Sequence, residues 1–178
     1  MRDVILDRAH LEELGTEFEF KIMRYLGIKF PQAVFLHDLS IYCKRLDKET
    51  QIDLIMITDK EIYVIEAKNW VGHIEGTYND SKWTGSSRAR LLMTVFNPVD
   101  QNAIHIRTLR NALRCSGINP PQFHNLVVVP DGTAIKSPCK EVINLAKTFS
   151  VINQVESASK NKIDKSLFHK MIMEVCKS

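Results

Sequence analysis

Ile62, Val64, Glu66 and Lys68 occupy every second position of the run EIYVIEAKNW, so on an extended chain they share one face. That face begins in aliphatic side chains and ends in two opposite charges. Glutamate and lysine are rarely fully buried without a partner, so the placement marks either a rim at the sheet edge or a site that uses charge. The ordinary alternative is an ion pair within the strand, worth little. The preceding run, QIDLIMIT, repeats the pattern: Asp53 shares a face with Ile55 and Ile57, while Ile52, Leu54 and Met56 take the other. Antiparallel pairing of the two runs brings Asp53 near Glu66. Two carboxylates held together repel unless a proton or cation lies between them, and a hard, oxygen-liganded ion such as Mg²⁺ satisfies both.

The elements needed to position these residues are legible on either side. Leu11, Leu14, Phe18, Ile22 and Tyr25 recur at helical spacing, which predicts an amphipathic helix from Leu11 to Leu26 ended by Gly27. AVFLHDL, QIDLIMIT and EIYVIEAKNW follow as three strands of a meander. The stretch VGHIEGTYNDSKWTGSSRARLLMTVF holds either a further hairpin or a loop across the sheet. Asn97-Pro98 opens a second helix reaching about Arg114, with Ile104, Leu109, Ala112 and Leu113 on its core side, and Gly117 and Pro120-Pro121 stop it. FHNLVVVPD reads as a strand buried on both faces, and Ile163, Leu167, Met171 and Val175 predict a closing helix within Lys160–Cys176. No repeat or linker divides the chain, so the expectation is one α/β domain over residues 1–178 with a central mixed sheet flanked by helices.

Composition bounds the partners. The 178 residues are 44% apolar and 25% charged, as in globular proteins, and the net charge of +3 requires any nucleic-acid partner to be met by a local basic patch. Cys43, Cys115, Cys139 and Cys176 form no Cys-x-x-Cys pair, so free thiols in a reducing cytoplasm are expected, without a disulfide framework or a zinc site. No apolar stretch approaches the roughly 20 residues that cross a bilayer, so no membrane association is expected.

Asp53 followed in the next strand by Glu66-Ala67-Lys68 resembles the signature of the PD-(D/E)XK nuclease superfamily. With QIDLIMIT, EIYVIEAKNWVGHIEG, Trp83 and NPVDQNAIHIRTL around it, the chain from Gly15 to Leu113 resembles the nuclease-related, or NERD, branch of that superfamily. The resemblance implies a restriction-endonuclease-like core of order α-β-β-β-α-β over about residues 10–135, with an extension at about 136–178. It implies hydrolysis of nucleic-acid phosphodiesters, of DNA more than RNA, in DNA processing or defence. It also implies Mg²⁺, with Mn²⁺ as a substitute, held by Asp53, Glu66 and the Ala67 carbonyl, with Lys68 acting on the attacking water. An early glutamate and a glutamine complete the family's set, and Glu19 and Gln101 fit those places, although Phe18 stands where the family usually has glycine.

Periodicity arbitrates between Glu17 and Glu19. Glu19 aligns with Ile22, Met23 and Leu26, and Glu17 with the more mixed Phe20, Lys21 and Arg24; the alternative is that both are charges near a helix N-terminus. Gln101 shares a helix face with His105, Thr108 and Ala112, where it is either a site residue or a satisfied boundary amide; His105 is read as a core histidine. Arg107, Arg110 and Arg114 form a separate stripe, and Lys82, Arg88 and Arg90 gather near Trp83; each group is either a solvated face or a phosphate contact. A homodimer is also compatible with the sequence. The rival function is a catalytically silent module that binds nucleic acid or protein on the same fold, while the absence of a Gly-x-x-x-x-Gly-Lys loop disfavours a nucleoside triphosphatase.

Overall fold

The computed structural model describes residues 8–44, 46–70, 72–86 and 92–176, with side chains from Thr16 onward. Arg88, Arg90 and the side chains of Leu11 and Leu14 therefore lie outside the described residues. The predicted meander is present: β1 (Val34–Cys43), β2 (Lys48–Ile57) and β3 (Ile62–Ala67) pair antiparallel in chain order. Three short strands follow, β4 (His73–Glu75), β5 (Lys82–Ser86) and β6 (Leu92–Phe96), before α2 (Pro98–Cys115) carries the chain back to β7 (Phe123–Val129). β7 lies parallel to β3 on one side and to β9 (Val142–Asn144) on the other, which makes the five-stranded sheet mixed, in the order β1-β2-β3-β7-β9. β4, β5 and β6 join β8 (Ala134–Lys136) in a second, four-stranded sheet, so the segment left open between hairpin and loop is a sheet of its own.

Helices cover both faces of the first sheet. α1 (Arg8–Lys29) lays Phe18, Ile22 and Leu26 on Leu54, Met56, Tyr63 and Ile65, and α3 (Leu145–Ala158) joins the same core through Ile152. On the other face Ile106, Leu109 and Leu113 of α2 and Ile172 of α4 (Lys165–Val175) meet Ile55, Ile57, Ile62 and Val64. The result is an α/β sandwich with a central mixed sheet, and α1-β1-β2-β3-α2-β7 gives the α-β-β-β-α-β order of a restriction-endonuclease-like core with β4–β6 inserted.

Several sequence expectations are corrected. α1 runs past Gly27 to Lys29, with Phe30 N–H still bonded to Leu26 O at 2.7 Å; it stops there because residue 30 precedes Pro31 and is pushed out of the helical region. On α2, Ile106 replaces Ile104 among the buried core residues. α4 begins at Lys165 behind an Asp164 cap, and its Leu167 is 44% exposed while Phe168 and Ile172 pack inward. α3 was not anticipated as a separate helix.

The second sheet is fastened by two indoles. Trp70 and Trp83 share a core with Val127, Val129 and Val142 from the first sheet. Gly76 and Gly85 make room for them: a Cβ at Gly76 would stand 2.3 Å from the Trp83 ring, and one at Gly85 2.8 Å from the Trp70 ring.

Candidate active site

The site forms where β2 and β3 part. Their ladder ends at the Leu54–Ile65 pair, one step short of Asp53 and Glu66. Beyond it the Asp53 carboxylate replaces a ladder partner, since Oδ2 accepts the Ala67 N–H at 2.8 Å, while the Lys68 N–H continues to Val128 O on β7. The β1–β2 ladder is interrupted opposite, with Asp38 and Asp53 the one unpaired position and Asp38 at φ 54°. Both strands change face there. Ile52 and Leu39 lie in the core with Ile55 and Leu36, not with Leu54, which corrects the face predicted for Ile52.

Glu66 is 1% exposed and its Oε1 lies 2.6 Å from Lys68 Nζ. Lys68 Nζ also donates to Gln101 Oε1 at 3.2 Å, so α2 is tied to the end of β3 through these two side chains. The other Glu66 oxygen, Oε2, is buried without a hydrogen-bond partner, as is His105 Nδ1, which faces it at 3.5 Å. Burial, and then Lys68, lower the His105 pKa to about 4, so the ring is neutral and offers Oε2 no countercharge.

The remaining electrostatics describe a crowd of acids. Burial pushes the Glu66 carboxyl up to about 8, with Asp53 and Glu19 adding to the rise and Lys68 opposing it. Glu19, half-buried on α1, is raised to about 7 by burial and then by Asp53 and Asp38. Asp53 is raised by burial, against the pull of the Ala67 N–H and of Lys68. Glu17 is exposed, so of the two helix acids Glu19 is the one drawn to this place. The structure thus brings Glu19, Asp53, Glu66, Lys68 and Gln101 together, although among the described residues no group of three His, Cys, Asp or Glu side chains converges as a ready cage for an ion.

The nuclease-related domain family matches residues 14–130, two thirds of the sequence. The chain belongs to the nuclease-related domain family. That family is a branch of the PD-(D/E)XK superfamily. A protein of Bacillus anthracis named only as uncharacterized is 32% identical over 96 residues, which cover 53% of this chain and 44% of that protein. The chain therefore spans less than half the length of that relative. No solved structure matches.

Two polar residues of this nuclease-related domain, Asn102 and Asp38, escaped the sequence reading, whereas Asn97 opens α2 as expected. Asn102 is fully buried, and its Nδ2 donates to Val64 O at 2.7 Å, Leu126 O at 3.1 Å and Asn125 Oδ1 at 2.8 Å, bolting α2 to β3 and β7 directly behind Glu66 and Gln101. Asn97 caps α2, its Oδ1 accepting from Val99 N and Asp100 N while its Nδ2 holds Asp80 O at 3.0 Å. Asp38 is exposed on β1 and adds negative charge to Asp53 and Glu19. Asn102 had a signal, a polar residue one position before an apolar stripe in NPVDQNAIHI; Asp38 had none, because its role depends on the register of β1. Of the basic groups, Arg110 lies 5.6 Å over the Phe123 ring, whereas Arg107 and Arg114 are exposed.

Proposed function

We propose that this nuclease-related domain hydrolyses phosphodiester bonds of nucleic acid, DNA in preference to RNA, with Mg²⁺ or Mn²⁺ as its ion, in DNA processing or defence. The observation that carries the reading is Glu66: a fully buried carboxylate with one oxygen on Lys68, one oxygen without a partner, and a second carboxylate, Asp53, beside it. Such an arrangement costs stability unless it serves chemistry, and a hard cation with oxygen ligands fits its donor set. Asp53, Glu66 and the Ala67 carbonyl are the proposed ligands, with Glu19 completing the shell directly or through water. The bound ion supplies Lewis acidity at the scissile phosphate and a water of lowered pKa. Lys68, steadied between Glu66 and Gln101, orients the attacking water and sets positive charge against the charge that builds on phosphorus. Gln101 holds Lys68 in place and offers its amide to water or substrate.

Incubation of the purified protein with DNA and with RNA, in Mg²⁺, Mn²⁺ or chelator, tests the proposal. Cleavage should require the metal, favour DNA, and fall by about 100-fold or more in Glu66→Ala and Lys68→Ala. Cleavage that persists in both variants would place the chemistry elsewhere. A second reading, a silent nucleic-acid-binding module, draws on the Lys68–Glu66 ion pair, which already neutralises the deepest acid at 2.6 Å. It expects salt-sensitive binding with no cleavage in any metal and no thermal shift on adding Mn²⁺.

A further inference from the structure

A groove leads away from this site along α2. Two cavities of about 190 and 330 Å³ share Ile104 and lie between α2 and the β1–β2 hairpin. The nearer one contains Gln101 and His105, so it opens directly off the site, and its outer wall holds Leu46, Lys48, Thr50 and Phe96. The farther one continues past Tyr42, Lys44, Arg107 and Asn111 to Cys115. From Gln101 to Cys115 the helix runs about 21 Å, enough for a few nucleotides.

The chemistry of the lining is consistent along its length. Lys44, Lys48 and Arg107 are exposed and positive, and no carboxylate is among the described residues that line either cavity. The hairpin's Asp47 is turned instead to Tyr42, whose hydroxyl it accepts, which steadies an aromatic ring that is 52% exposed. Phe96, 47% exposed on the edge strand β6, presents a second ring beside the site. Cations for a backbone, interleaved with open aromatic faces for bases, are what an unpaired strand requires. A duplex offers no free base faces, and these cavities admit a base but not a double helix. The groove floor at Ile104 and Ala112 is apolar, and Thr50, Thr108 and Asn111 supply polar groups along it.

We propose that this groove binds single-stranded DNA and feeds it to the site, with Phe96 and Tyr42 stacking on bases and Lys44, Lys48 and Arg107 meeting phosphates. The assignment rests on the phosphodiesterase reading and narrows its substrate to an unpaired strand. Fluorescence anisotropy with short labelled single-stranded DNA, the matching duplex and the matching RNA, in chelator so that nothing is cut, gives the comparison. Single-stranded DNA should bind at least tenfold tighter than the duplex and no more weakly than the RNA. Phe96→Ala should weaken it about 5-fold to 100-fold, the range of one lost base stack. The triple variant Lys44→Ala, Lys48→Ala, Arg107→Ala should weaken it further and lower the slope of log affinity against log salt by about 2. All substituted residues are exposed, and unchanged melting of the variants checks that the fold is intact. Equal affinity for the duplex, tighter binding of the RNA, or variants that bind as the parent does, would overturn the assignment. The two proposals fail separately: a protein that cuts DNA through unaltered groove variants loses only the groove, and one that binds through the groove but never cuts loses only the catalysis.

Discussion

Asp53 carries a structural and an electrostatic load at once. Its Oδ2 takes the Ala67 N–H where the β2–β3 ladder has ended, and its charge helps raise the Glu66 and Glu19 pKa values. The two loads can be separated. Asp53→Asn keeps an oxygen to accept from Ala67 but removes the charge, so the metal-free variant should melt higher than the parent at about pH 9, above the values of about 8 and about 7 to which Glu66 and Glu19 are raised. Its Mn²⁺ affinity, followed by calorimetric titration, should fall at least tenfold, about 1.4 kcal/mol; an unchanged affinity would remove Asp53 from the ligand set. Asn102 carries no charge and matters by reach. Asn102→Ala strands the buried carbonyls of Val64 and Leu126, which should cost about 1–3 kcal/mol in urea unfolding. It should also slow cleavage more than it weakens DNA binding, because α2 positions Gln101 against Lys68.

At the scale of elements, the weak point is the joint between the two sheets. Gly76→Ala places a methyl group in the Trp83 ring, which is fully buried, so the strand or the indole must move. Overpacking of this kind costs about 1–3 kcal/mol, read as a lower urea midpoint together with a changed near-ultraviolet tryptophan signal. Short runs of β-branched residues predicted β1, β2, β3 and β7 because such runs have few other ways to bury themselves. Alternation placed Glu66 and Lys68 on one side of β3 for the same reason. It failed at Ile52, because strict alternation assumes an unbroken ladder and the gap at Asp38 and Asp53 turns both strands over. α3 was illegible because LAKTFSVINQVESA mixes Thr, Ser, Val and Asn, poor helix formers, and is held helical by its packing on β7 and β9. Leu167 misled for a related reason: a spacing of four fits a helix stripe, but α4 is rotated so that Phe168 and Ile172 face α2.

For the molecule as a whole, pH should act on the carboxyl groups at the two ends of β3 in opposite senses. Glu66 and Glu19 have folded pKa values of about 8 and about 7, above the ordinary 4.5, so their stability contribution is complete below 4.5 and is lost progressively as pH rises from there to about 8 and about 7. His105 is depressed to about 4 from 6.5, so its contribution is complete above 6.5 and is lost as pH falls toward 4. At the far end of β3, Glu61 is buried, which alone would raise its pKa, but hydrogen bonds from Ser159, His124 and Asn161 leave it below 4.5. His124 Nε2 lies 2.9 Å from one of its oxygens and Asn161 Nδ2 2.8 Å from the other, so this acid pins the segment between α3 and α4 to the sheet. Its contribution holds above 4.5 and disappears below, adding to the loss from His105. The metal-free protein should therefore melt highest at about pH 4.5 to 5, because above that the loss from the two raised acids outweighs the gain from His105 and below it His105 and Glu61 both lose. Millimolar Mn²⁺ should restore the alkaline limb, where it neutralises ionised Asp53 and Glu66, and leave the Glu61 share of the acid limb untouched, because Glu61 and His124 stand at the other end of the strand. Thermal melts from about pH 3 to 9, with and without the ion, measure both limbs. Glu61→Gln should flatten only the acid one, and a metal effect of equal size at every pH would disconnect the ion from these carboxylates.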